Sequence, residues 1–323
     1  MPFAEFDARP QAVIIHDPVK NGSFKVIEET DNSGSLEEKV LFRSRPDTDL
    51  YSRQHKMFAD LLRRHVEKVF YLEDLAGNHK TYEAAIKNPN QVFTRDSLIT
   101  IPWIPDGYIK ARMVKPLRRP EPDTMEEAVR VLGLKEIIKI PENLFLEGGD
   151  VIPFTRNGKR TLLIGHGPRS SFEAIEFLSS ALIPQYADEI IAVELAPWRM
   201  NLDGGFVPVA DDLIVAETGS ILGSTLFNAE TQEKFDIVGM VKDMGIRIID
   251  VTKEESVYSQ ACNCICLGSR KIIYYDLCMR VYEKMREQNI EVHLVRGSEL
   301  VKGRGGPRCM TRPIYKELDG VME

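Results

Sequence analysis

Short apolar runs of strand length alternate with amphipathic stretches of helical period along most of this chain, and that interleaving restricts it to the α/β class. AVIIH (12–16), KVFYL (68–72), TLLIG (161–165), EIIAVEL (189–195), IRIID (246–250), CICLG (264–268), KIIYY (271–275) and IEVHLV (290–295) read as strands. Helical periodicity runs over 51–66, 124–133, 170–182, 233–244 and 278–288. Leu61, Leu62, His65 and Val66, for example, share the three-and-four spacing of one buried face. With 323 residues and 43% of them hydrophobic, the chain can bury a large core without covalent staples. Five cysteines, an odd number, read as reduced thiols rather than a disulfide framework.

Charge narrows the function classes. A balance of 42 basic to 49 acidic residues gives a net charge of −7, which argues against a nucleic-acid partner. No apolar run approaches the ~20 residues that span a bilayer, and the start MPFAEFDARPQ lacks a basic-then-apolar leader. The expectation is a cytoplasmic protein with no membrane partner. Residues 28–38 read as a mobile polar surface loop, and KPLRRPEPD (115–123) as a break in mid-chain. Neither is long enough for an interdomain linker, so 1–323 is expected to form one domain. No sequence repeat of fixed period stands out.

Four polar clusters set charge and glycine beside strand-like segments: NPNQVFTRD (88–96), LEGGD (146–150), RMNLDGG (199–205) and GSELVKGRGGPRCMT (297–311). In the last, Cys309 follows a glycine-rich run and has Lys302, Arg304, Arg308 and Arg312 around it, a setting expected to favour the nucleophilic thiolate. Asp96, Glu147, Asp150 and Asp203 each lie near a turn signal. Taken singly each is an ordinary turn or cap residue; brought together they would grip a planar cation through paired hydrogen bonds.

These clusters, in this order, resemble the arginine deiminase branch of the guanidino-group-modifying superfamily, which also holds dimethylarginine dimethylaminohydrolase and the amidinotransferases. FADLLRRHVEKVFYLEDL (58–75) is similar to the deiminases' early helix-and-strand unit, and GSELVKGRGGPRCMTRPI (297–314) to their active-site end. The resemblance implies an α/β propeller of fivefold pseudosymmetry, a pentein, in a compact form without the deiminase helical insertion. It implies Cys309 as nucleophile, Asp96 and Asp203 as the carboxylates that hold the guanidinium, and Glu147 as the partner of a catalytic histidine. Arg169 and Arg304 match arginines that bind a substrate α-carboxylate, and Asp150 belongs to the same substrate-binding set.

One departure bears on mechanism. The family's histidine lies in an H-x-D pattern, and here the pattern reads Asn201-Leu202-Asp203. None of the six histidines occupies that place. Asparagine hydrogen-bonds but does not titrate near neutrality, so a proton-transfer contribution of roughly 100- to 10,000-fold is lost or supplied elsewhere. Three readings stay open: an engineered inactive variant, a native asparagine with the proton work done by a group such as His166, or a native relative that binds guanidines without turnover. The resemblance implies a cysteine-dependent hydrolase acting on arginine or a related guanidine through a covalent thiouronium. An amidinotransferase that passes the amidino group to an amine is the alternative. Neither chemistry needs a metal or organic cofactor. The partner is a small guanidino substrate, and an oligomer is open.

Outside the clusters, Cys262, Cys264 and Cys266 alternate, which puts them on one buried strand face and turns Asn263 and Ile265 to the other, where Asn263 could reach a pocket. Trp103, between prolines, is placed to act as a loop closing over the site.

Overall fold

The computed structural model describes residues 3–318, and in it five small sheets are laid out by one rule. In each, a first strand pairs antiparallel with a second, and the second pairs parallel with a third reached through a helical crossover. Taken along the chain, the blades are Leu98–Ile101, Ile104–Lys110 and Lys135–Ile138; Val151–Arg156, Lys159–His166 and Glu189–Leu195; Phe206–Ala210, Leu213–Ala216 and Arg247–Asp250; and Ile265–Cys266, Lys271–Tyr275 and Glu291–Val295. The fifth is made from both ends: Ala12–Ile15 runs parallel to Lys68–Tyr71 and antiparallel to Arg312–Ile314, so the last strand closes the ring onto the first. This is the fivefold α/β propeller that the sequence resemblance implies. A structural repeat therefore exists where the sequence shows none, because only the strand order recurs.

Burial falls from the first strand of a blade to the third. The first strands Leu98–Ile101, Phe206–Ala210 and Arg312–Ile314 are wholly buried, while Lys68–Tyr71 and Lys135–Ile138 are partly exposed. The exception is Glu189–Leu195, buried because a hairpin, Ile221–Asn228 with Gln232–Phe235, leaves its own blade and extends that sheet. The hairpin also corrects the helix expected over 233–244. Residues 232–235 are a strand, and the helix is Ile237–Asp243, capped by Asp236 accepting from the Gly239 N–H at 2.9 Å.

The helix Thr48–Arg63 shows why these crossovers hold. Asp47 caps it by accepting from the Leu50 N–H at 2.8 Å, and Tyr51, His55, Phe58, Ala59 and Leu62 form its buried face. Burying Phe58 or Leu62 contributes about 1.5–3 kcal/mol each. The helix stops before His65 and Val66, and His65, outside it, packs on the ring of His293 at 4.0 Å. The segment read as a loop at 28–38 is in part helical, with short helices Lys25–Glu29 and Leu36–Val40. All five cysteines are unpaired. Among the described residues no helix is long and apolar enough to cross a membrane.

Candidate functional site

A polar turn precedes the buried first strand of every blade, and the five turns meet in the middle. They carry Asp96, Glu147 with Asp150, Asp203, Asn263 and Cys309, positions that recur about every fifty residues. A closed circuit of hydrogen bonds joins them. The Gly148 N–H donates to Asp96 O at 2.9 Å, and the Leu202 N–H to Asp150 Oδ1 at 2.8 Å. Asn263 Nδ2 donates to Asp203 O at 3.4 Å, the Cys309 N–H to Asn263 Oδ1 at 3.1 Å, and the Arg95 N–H to Cys309 O at 3.0 Å. Two glycines permit the close approach. A Cβ on Gly148 would meet Arg95 O at 2.1 Å, and one on Gly149 would meet Asp96 Oδ1 at 2.6 Å.

Cys309 is almost wholly buried, with its Sγ 3.0 Å from Asn263 Nδ2 and 3.5 Å from Asp203 Oδ2. Burial, then Asp203, then Asp96 push its thiol well above the ordinary cysteine range, against a smaller pull from Arg308. The expectation that the flanking basic residues favour the thiolate is therefore corrected: in this arrangement their charge is already committed. Lys302 pairs with Glu299 at 2.7 Å, Arg304 with Glu37, and Arg308 with Glu5 at 2.7 Å and Asp203 at 2.9 Å. Arg312 donates to Thr100 Oγ1 and to Arg95 O.

The carboxylates are likewise half-engaged. Asp96 accepts from Arg118 Nη1 at 2.8 Å through Oδ2, while its Oδ1 is buried with no hydrogen-bond partner among the described residues. Arg118 is itself held in a fork by Glu121, at 2.9 and 2.7 Å, and Glu121 accepts in turn from Asn88 and Ser97. Burial raises the Asp203 carboxyl above its usual range, with Arg308 opposing and Asp96 adding to the rise.

Behind this layer lie Glu147 and Asp150, without exposed surface. Asn201 Nδ2 sits between them, 3.3 Å from Glu147 Oε2 and 3.0 Å from Asp150 Oδ2. Burial lifts both carboxyls, Asp150 strongly. The remaining contacts of Asp150 are to Ser170 and the Leu202 N–H, so the structure gives it to the support of Asn201 and the turn rather than to a ligand. Arg169 donates to Glu147 at 3.2 Å.

Two adjoining cavities of about 30 Å³ each open on Cys309, and Met200, Asn201 and Arg304 line both. Above them a mouth of about 920 Å³ is lined by residues including Glu37, Arg169, Trp198, Met200, Lys253 and Arg304. Met200 and Arg304 line the mouth and both cavities beside the sulfur. His166 packs against Phe172 at 5.0 Å and lines none of these spaces, so no observed contact joins it to Cys309. Trp103 lines none of these spaces either; its indole N–H donates to Tyr186 O at 2.6 Å and its ring packs against a separate core cluster.

Sequence reasoning missed Glu5, Arg118 and Glu121. Arg118 and Glu121 left one trace, a three-residue spacing inside the Pro-rich break, where charge would otherwise be solvated. Glu5 left none.

A family model described as arginine deiminase matches residues 76–316. This chain belongs to the arginine deiminase family. It is 27% identical over 261 residues to the arginine deiminase of Listeria welshimeri serovar 6b, covering 71% of this chain and 62% of that one. To the arginine deiminase of Mycoplasma capricolum it is 28% identical over 199 residues, covering 53% and 47%. The chain thus spans about half to three-fifths of the length of these relatives. Among solved structures it is similar to the N-terminal domain of ArgZ, an arginine dihydrolase from cyanobacteria, with a TM-score of 0.69 at 18% identity over 95% of this chain and 97% of that one. DDAH from Pseudomonas aeruginosa gives 0.67 at 19%, over 94% and 99%. Those likenesses carry the fold, that of the pentein enzymes.

Proposed function

We propose that the chain binds the guanidinium group of arginine or a similar compound at the ring centre and cleaves it through a thiouronium on Cys309. The observation that carries this reading is Asp96 Oδ1, a buried carboxylate oxygen with no hydrogen-bond partner among the described residues: Asp96 lines one of the two small cavities that open on the sulfur, and Asp203 lines the other. An orphaned buried acceptor is costly until a donor arrives, and a planar cation with several N–H groups suits it. The crystal structure of P. aeruginosa DDAH holds citrulline, and one of AgrE holds L-arginine, which supports a ligand of this class.

The same charge balance drives the chemistry. An arriving guanidinium offsets the Asp96 and Asp203 charges that hold the Cys309 proton on, and Asp203 Oδ2 is the nearest titratable group to take that proton. The S–C bond forms, the C–N bond breaks, and Asp203 returns the proton to the departing ammonia. Water then attacks the thiouronium carbon, giving one proton to the Asp203 carboxylate and one to the sulfur as the C–S bond breaks, so a ureido product leaves, the thiol is restored and Asp203 releases its proton to solvent. Asn201 supplies no proton in either half and holds Glu147 and Asp150 apart by hydrogen bonding to both. Arg169 and Arg304, at the mouth, are proposed to meet the far carboxylate once Glu147 and Glu37 release them. Asn201 also favours a second reading, a guanidine-binding protein without turnover.

The test is product formation from arginine by this chain beside Asn201→His, reading ammonia, ureido and amidino-transfer products together. The expected result is slow ammonia and ureido formation that rises about 100- to 10,000-fold with histidine. Binding with no product in either protein supports the binding-protein reading, and transfer to an added amine supports an amidinotransferase.

A further inference from the structure

We propose that Asn263 is a catalytic residue of this site: its side-chain amide is locked with the N–H side on the Cys309 sulfur, as a fixed donor to the thiolate. The inference rests on the reading of Cys309 as nucleophile and adds a partner for it. The amide is wholly buried. Its Oδ1 accepts two backbone N–H groups, from Arg308 at 3.0 Å and Cys309 at 3.1 Å. Reversing the amide would set N–H against N–H twice over, so the orientation is dictated by its partners. Nδ2 is then left 3.0 Å from Sγ, with Asp203 O as its second acceptor at 3.4 Å.

The fit is tight. A Cβ on Gly306 would lie 2.7 Å from three atoms of Asn263, so the loop can wrap this amide only because residue 306 has no side chain. Burial, Asp203 and Asp96 work against ionisation of the sulfur, and the Gly306 backbone and Arg308 offset them only in part. A neutral group donating to a charged sulfur makes a stronger bond than to a thiol, so Asn263 favours the reactive form. Charge leaves the sulfur when the S–C bond forms and returns when it breaks. The same N–H therefore acts twice, stabilising the attacking thiolate and the departing one.

The test uses the whole chain and iodoacetamide, following alkylation of the Cys309 peptide by mass spectrometry across pH 6–10, with Cys309→Ala to identify the signal. Asn263→Asp keeps the shape and the acceptor for both backbone N–H groups but turns a carboxylate oxygen to the sulfur. The midpoint of the alkylation profile should move up by about one pH unit or more, and the rate at pH 8 should fall about tenfold or more. Asn263→Leu removes the donor without adding charge and should also raise the midpoint, whereas a role limited to holding the loop would lower thermal stability and leave the midpoint of that neutral variant in place. A profile that superimposes on the parent's overturns the proposal. Should Asn263→Asp not fold, parent chain labelled with ¹⁵N-asparagine decides the matter. One side-chain amide proton must shift in step with Cys309 ionisation and stop doing so in Cys309→Ala; its absence also overturns the proposal. Alkylation needs no substrate, so a shifted profile together with no reaction on arginine would sink the proposed function and leave this assignment standing.

Discussion

Arg118 joins more of the buried charge than any other side chain near the ring centre. It forks to Glu121, reaches Asp96 at 2.8 Å and lies 4.0 Å from Glu147 Oε2. Those carboxylates raise its already high pKa further against the opposing effect of burial. Replacing it with methionine keeps the volume and leaves Asp96 and Glu121 buried without their cation. Breaking a buried pair from one side costs about 3–5 kcal/mol, so Arg118→Met should lower the free energy of unfolding in urea by that order. A loss below about 1 kcal/mol would show the network to be dispensable. At this scale the sequence is legible where a family pattern picks out residues that the fold then gathers, as for Cys309, Asp96 and Asp203 at the ring centre. It is silent where the role depends on contact between distant segments. Nothing in MPFAEF marks Glu5 as the buried partner of both Arg308 and Arg95, because that pairing exists only after the ring closes.

Among the elements, the polar turns matter more than the strands they precede. Each turn must be short, glycine-tolerant and irregular, so it carries no periodicity for a sequence reading to catch. The blades vary in loop length and one lends a hairpin to its neighbour, which hides the repeat. Strands of regular alternation or continuous burial, such as Glu189–Leu195 and Lys271–Tyr275, were legible to the residue. The short helix Leu36–Val40 adds a feature that the polar composition of 28–38 did not suggest, since its Glu37 binds the Arg304 guanidinium at the mouth. On the proposed function, Glu37 occupies Arg304 where a ligand carboxylate would bind. The pair is partly solvated and worth about 1 kcal/mol at most, so Glu37→Gln should tighten arginine binding by up to about fivefold. Guanidinium chloride, which has no carboxylate, should bind parent and variant alike in the same calorimetric titration. Equal tightening for both ligands would place the effect elsewhere.

Across the whole molecule, ring closure and site assembly are one event. Cys309 lies three residues before Arg312–Ile314, the strand that completes the blade begun by Ala12–Ile15. Its carbonyl accepts from Arg95 on one side and its N–H donates to Asn263 on the other. Cys309 therefore reaches Asp203 and Asp96 only when both ends of the chain are in the same sheet. The propeller itself was legible through four motifs in register, whereas the geometry that gives Asn201 a supporting role between two protonatable carboxyls was not. What a chain with this ring and no central histidine does to a guanidine comes down to the fate of the sulfur. The decisive measurement is the mass of the Cys309 peptide after arginine is mixed with the chain and quenched in acid. The account predicts a fraction heavier by arginine less ammonia, absent in Cys309→Ala. An unmodified peptide at every quench time, with ureido product still forming, would contradict it.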